Sequence, residues 1–141
     1  MKPLEPDVKQ ICIGIVRGHE RRMREYRKQY LEILYSASYP DGQPKGNRTS
    51  TPTEDRAGRL MQLEASPEAA RIRAVEDAVR EIGGDIPDEK VRKRLAKAIL
   101  LNCSSGRDYP FELLNLTEFS RMDFYRRRGR FLFRLASNLH L

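Results

Sequence analysis

The chain of 141 residues has no tryptophan, two cysteines and two histidines. Cys12 and Cys103 have no CxxC neighbour, and His19 and His140 stand at no ligand spacing from them. That pattern argues against a zinc site, so no metal and no cofactor are expected. No apolar run approaches the ~18 residues that a membrane span needs. The run Ile11 to Val16 is too short for a secretory leader and is followed by Arg17. The expected compartment is therefore the cytoplasm, where a disulfide between the cysteines is not expected. Both fall at helical apolar positions and read as small packing residues. No serine or cysteine shares a recognisable motif with a histidine, and the scattered glycines form no phosphate loop. An enzyme is not expected. Internal repeats, low-complexity runs and the period-two alternation of strands are also missing.

What the chain has is charge. Charged residues make up 33% and hydrophobic ones 39%, which suits an extended helical protein with a modest core. The net charge of +7 is unevenly spread. Residues 53–89 hold five basic and ten acidic residues, a balance of −5; residues 90–141 hold twelve and four, a balance of +8. A basic end beside an acidic segment suits a polyanion-binding region joined to a surface of another kind.

Helical periodicity dominates throughout. The first helix is expected from about Asp7 to Ser36, with Ile11, Ile15, His19, Met23, Tyr26, Tyr30 and Ile33 as its apolar line. His19 lies on that line and reads as structural. Arg17, Arg21, Arg22, Arg24, Arg27 and Lys28 interleave with Glu20, Glu25 and Glu32, the pattern of a solvated helix with internal pairs. Tyr39 to Thr51 reads as a loop, broken by Pro40, Asp41-Gly42, Pro44 and Gly46. Thr51-Pro52-Thr53-Glu54 opens the next helix with a cap and an N-terminal proline. Ser66-Pro67 interrupts it and Gly83-Gly84 ends it. Its small-residue face over 70–82 is expected to pack antiparallel on the first helix. Pro87 then opens a helix with Val91, Leu95, Ile99 and Leu100 inward and Lys90, Arg92, Lys93, Arg94 and Lys97 elsewhere. A short helix over Phe111 to Leu114 and a turn follow, giving the helix-turn-helix order. The expected fold is all-α: a long N-terminal antiparallel helical hairpin over 1–84 and a C-terminal helix-turn-helix domain over 85–141.

Ser120 to Leu139 is the most informative stretch. On a helical wheel Met122, Tyr125, Gly129, Leu132, Phe133, Ala136 and Leu139 fall on one broad face, expected to point at the core. Arg126, Arg127, Arg130, Arg134 and Asp123 share an opposite wedge of about 100°. Phe124, Phe131 and Leu135 form a second apolar stripe. Arg128 falls between the stripes and must snorkel or pair. Ser120 caps the helix, and Asp123 completes the Ser-x-x-Asp box.

Several stretches in order resemble a known family. They are Val16-Arg17-Gly18-His19-Glu20-Arg21, Tyr35-Ser36 with Asp41-Gly42-Gln43-Pro44-Lys45-Gly46, Thr51-Pro52-Thr53-Glu54, Tyr109-Pro110, and Phe119-Ser120-Arg121 through Phe124-Tyr125-Arg126-Arg127-Arg128 to Phe131-Leu132. Together, from about Ile15 onward, they resemble the RinA-type phage transcriptional activators of prophages in Gram-positive bacteria. These are related in their C-terminal part to ArpU-like regulators and to the helix-turn-helix of sigma factor region 4. The chain departs from the pattern at Gly129, a glycine in mid-helix. The resemblance implies action on phage promoters for late or packaging operons.

The expected function is a sequence-specific regulator of transcription that binds double-stranded promoter DNA. Ser120, Arg121, Asp123, Phe124, Arg126, Arg127 and Arg130 would face the groove, with Arg134, and Lys93 or Lys97, on phosphates. The N-terminal hairpin would form a homodimer or touch host RNA polymerase. The alternatives are a packaging or assembly component, a small-terminase-like DNA-binding ring, and a helical interaction protein that binds no DNA.

Overall fold

Proline, serine and glycine punctuate the chain where its helices begin and end. The computed structural model describes residues 3–35 and 52–141, and there it holds six α-helices, one 3-10 turn and no strand. They are α1 (Pro6–Arg17), α2 (His19–Tyr35), α3 (Pro52–Glu64), α4 (Pro67–Arg80), α5 (Glu89–Ser104) and α6 (Arg121–Asn138), with the 3-10 turn at Phe111–Leu113. The fold is all-α.

The expected single first helix is two. It breaks at Gly18, whose N–H donates back to the carbonyls of Gly14 and Val16 and whose backbone sits at φ −89°, ψ 0°. Glycine is the weakest helix former after proline, and one turn residue here separates α1 from α2. The expected loop over Tyr39 to Thr51, with the Thr51 cap, lies outside the described residues. At the α3–α4 junction, Ser66 Oγ accepts from the Ala69 N–H at 3.2 Å and donates to the Leu63 carbonyl at 2.7 Å. Pro67 then occupies the first helical position, where its missing donor costs nothing. After α4 the chain turns at Gly83, at φ 71°. A Cβ there would lie 3.1 Å from Arg92 Cγ, so both conformation and space call for glycine. Helix α5 opens at Glu89 rather than Pro87, capped by Asp88, which accepts from the Lys90 N–H at 2.9 Å.

The chain divides into two compact units: Met1–His19 with Arg71–Leu141, and Glu20–Ala70. This differs from the boundary expected after residue 84. The first unit draws on both ends of the chain because one core does so. Cys12 and Val16 of α1, Ala74, Val75 and Ala78 of α4, and Leu95, Ile99 and Cys103 of α5 are buried together with Phe124, Phe131, Leu132, Leu135 and Ala136 of α6. Helix α1 packs on both α5 and α6. Arg17 Nε donates to the Ser104 carbonyl at 3.2 Å, placing a cation on the C-terminal end of α5. Asn138 Nδ2 donates to the Ala74 carbonyl at 3.1 Å and ties the end of α6 to α4. The buried Asn102 donates to the Tyr109 carbonyl at 2.8 Å and pins the loop after α5. In the second unit Ile33 and Ala69 are buried, and Arg22 pairs with Glu68 at 3.1 Å.

Two expectations about the C-terminal region need correction. The short helix foreseen over Phe111 to Leu114 is one 3-10 turn, so no α-helix among the described residues stands a few residues before α6. The buried face of α6 is also different. Leu132 and Ala136 of the face expected to point at the core are buried, but so are Phe124, Phe131 and Leu135 of the second stripe, whereas Met122 is 83% exposed and Phe133 is 39% exposed. The stripe with two phenylalanines a heptad apart removes more apolar area from water, and Phe111 lies against Phe124 at 5.3 Å between ring centroids.

Candidate nucleic-acid interface

The arginines of α6 are carried by a well-capped helix. Ser120 Oγ accepts from the Asp123 N–H at 3.0 Å, and Asp123 stands in the first turn, where a carboxylate favours the helix dipole. Asp123 accepts from Arg126 and from Arg127 Nε, the latter at 3.1 Å. Removal from water pushes the Asp123 carboxyl up, but the hydrogen bonds from Arg127 and Arg126 outweigh this and hold it below the ordinary carboxylate range.

Arg127 is the most constrained of the set. It donates to both carboxylate oxygens of Asp85, at 2.9 and 2.8 Å, and its guanidinium lies 5.3 Å from the Phe119 ring centroid. Its side chain is only 13% exposed. The hydrogen bonds from Arg127 lower Asp85 to about 2, and in return raise Arg127 further above the arginine range. Arg134 Nε pairs with Glu81 at 2.7 Å, and Arg121 pairs with Glu112. Arg130 enters none of these pairs and is exposed. A cleft of about 200 Å³ runs beside these groups, with Ile82, Gly83 and Asp85 on one side and Arg127, Arg130 and Arg134 on the other.

Of the residues expected to face DNA, Arg126, Arg130 and Arg134 lie exposed on one side of α6, with Asp123 among them. Arg121 is exposed nearer the helix start. Ser120 uses its hydroxyl as the cap. Phe124 was expected at the groove and cannot be there: it is fully buried, at 0% exposure. Arg127 faces Asp85 rather than open solvent. Arg128 lies off the arginine face, as its wheel position implies, and its charge opposes the burial that raises the Cys103 thiol. Burial also raises Cys12, so both thiols are protonated packing groups.

The carboxylates Glu81, Asp85 and Glu112 had not been foreseen as part of this site. For Glu81 and Asp85 the signal was present in the acidic balance of residues 53–89, whose C-terminal end meets the basic helix directly; Glu112 lies outside that stretch. With Asp123 they set four negative charges among five arginines. No helix is long and apolar enough to cross a membrane among the described residues. Comparison of the chain with protein-family models, with curated proteins and with solved structures returns no match in any of the three.

Proposed function

We propose that the protein binds double-stranded DNA through the exposed arginines of α6 and regulates transcription in the bacterial cytoplasm, as an activator of phage late genes. The observation that carries this reading is the row Arg126, Arg130, Arg134, at four-residue steps on the solvent side of one helix, with Arg130 in no ion pair among the described residues. The resemblance to RinA-type activators, which rests on its motifs, supplies the regulatory role. Exposed ion pairs are worth only about 0–1 kcal/mol, so a phosphate can take Arg126 from Asp123 or Arg134 from Glu81 at small cost. Arg127 is different. Bidentate and nearly buried, it sets the position of α6 and leaves base contact to Arg126 and Arg130. Arg121 and Arg134, with Lys93 or Lys97 of α5, supply the phosphate contacts.

A second reading has its own support. Four carboxylates already neutralise most of the arginine face, as they would in a helical bundle that binds only protein. Selection of bound duplexes from a random library separates the two. An enriched motif, lost with Arg130→Ala, supports DNA reading. Equal and weak retention of all duplexes by the wild type and by Arg130→Ala supports the interaction bundle.

A further inference from the structure

On the side of α6 away from the acid-balanced cleft lies a second depression of different character. It has a volume of about 370 Å³ and is lined by Leu4 and Lys9 from the N-terminal segment and by Tyr125, Arg128, Gly129 and Phe133, among others, from α6. Nearer the start of the same helix stands Met122, the most exposed large hydrophobic residue of the described chain. The space over Gly129 is open, since a Cβ added there would meet nothing within 4 Å. Glycine inside a helix costs about 1 kcal/mol relative to alanine. No contact within the fold requires it at this position.

The charge of the rim has one sign. Lys9, Arg126 and Arg128 line the groove, and no carboxylate does. Arg126 reaches Asp123, while Arg128 sets its guanidinium against the Cys103 thiol, with Nε buried and without an acceptor among the described residues. A basic rim around an apolar gap suits a carboxylate that arrives with an apolar side chain.

We infer that the Gly129 groove docks an acidic amphipathic helix of a partner protein. One apolar side chain of that helix seats over Gly129, and its flanking carboxylates meet Lys9 and Arg128. Such helices present side chains at steps of three and four residues, the spacing of Met122, Tyr125, Gly129 and Phe133. Duplex DNA has no apolar ridge to fill the gap, and a bilayer surface calls for a convex apolar face rather than a concave one. The inference does not rest on the DNA reading: Arg130 and Arg134 lie outside the groove, and Arg126 alone touches both surfaces.

The test uses the full chain and a fluorescent synthetic amphipathic helix with leucines on one face and glutamates on its flanks, read by anisotropy. A twin peptide carries lysines in place of the glutamates. The acidic peptide should bind and the twin should not. Gly129→Leu should weaken binding by about tenfold or more without lowering the thermal midpoint, because any residue but proline favours helix over glycine. Gly129→Ala, the milder variant, should raise the midpoint and weaken binding by a smaller factor. Lys9→Glu should weaken the acidic peptide and gain affinity for the lysine twin. The inference fails if both peptides bind alike, if the acidic peptide does not bind, or if filling the Gly129 gap leaves affinity unchanged. It also fails if the free chain self-associates in light scattering and Gly129→Leu abolishes that, since the occupant is then a second copy.

Discussion

Arg127 and Asp85 face each other across 42 residues of chain through two parallel hydrogen bonds of 2.9 and 2.8 Å. The pair joins the first turns of α6 to the loop that leaves α4, and so sets the direction from which the other arginines project. Asp85 is held at about 2 against an ordinary 3.8. A depressed carboxylate stabilises the fold above its unfolded pKa and loses that contribution as pH falls through the folded one. The thermal midpoint should therefore drop between about pH 4 and pH 2, with Asp123 and Glu118 acting in the same direction. In Asp85→Asn this drop should be shallower, and at neutral pH the midpoint should already be lower. Calorimetry across that range checks both.

Phe124 and Met122 are two residues apart, and their environments are opposite. Phe124→Ala should lose about 3–5 kcal/mol in urea unfolding, the cost of emptying a full core site. Met122→Ala should stay within about 0.5 kcal/mol of wild type. Similar losses for both would mean that the face read here as exposed is covered in solution.

Gly83 is held at φ 71° with Arg92 close by. Gly83→Ala should destabilise by at least about 1 kcal/mol, because an L-residue strains in the left-handed region and its methyl group pushes on Arg92. The same change at Gly129, with open space around it, should stabilise by about 0.5–1 kcal/mol. A thermal-shift comparison of the two variants reads opposite signs.

On the proposed DNA reading, Glu81 would compete with phosphate for Arg134, with which it pairs at 2.7 Å. Glu81→Gln should tighten binding to duplex DNA of any sequence and steepen the logarithmic salt dependence by up to about 0.9. Glu68→Gln, in the other unit, should leave both unchanged. Titrations of a random duplex at several salt concentrations distinguish these outcomes.

Local signals in the sequence were readable because they act over three or four residues. Ser120 with Asp123, Ser66 with Pro67, and the glycines after α4 each declare a helix end through chemistry close at hand. The burial of α6 was not readable in the same way. Its two apolar stripes have equal claims by periodicity, and the core takes Leu132 and Ala136 from one with Phe124, Phe131 and Leu135 from the other, leaving Met122 and Phe133 exposed. The choice is made by α1, more than a hundred residues earlier, and by the loop that carries Phe111. The partners of the arginines were hidden for a related reason. Nothing between residues 85 and 127 marks Asp85 for Arg127, and only the regional charge balance hinted that acid from the turn after α4 would meet the basic helix. Gly18 was visible, but the continuous apolar line across it gave no sign that the helix would break there.

The core that unites Cys12 and Val16 with Leu132 and Leu135 also sets an order of events during synthesis. Helix α1 leaves the ribosome before α5 and α6 and has no companion for its apolar face until they follow. Closure must join Cys12 and Val16 to Leu132 and Leu135, an entropic cost that local helix formation does not offset. A fragment beginning at residue 85 would carry every arginine of α6 but lack Cys12, Ile13, Val16, Val75 and Ala78, and should not hold the helix in place. The arginine face thus becomes available only once α6 has met α1 and α4, and a product cut before α6 docks would not display it.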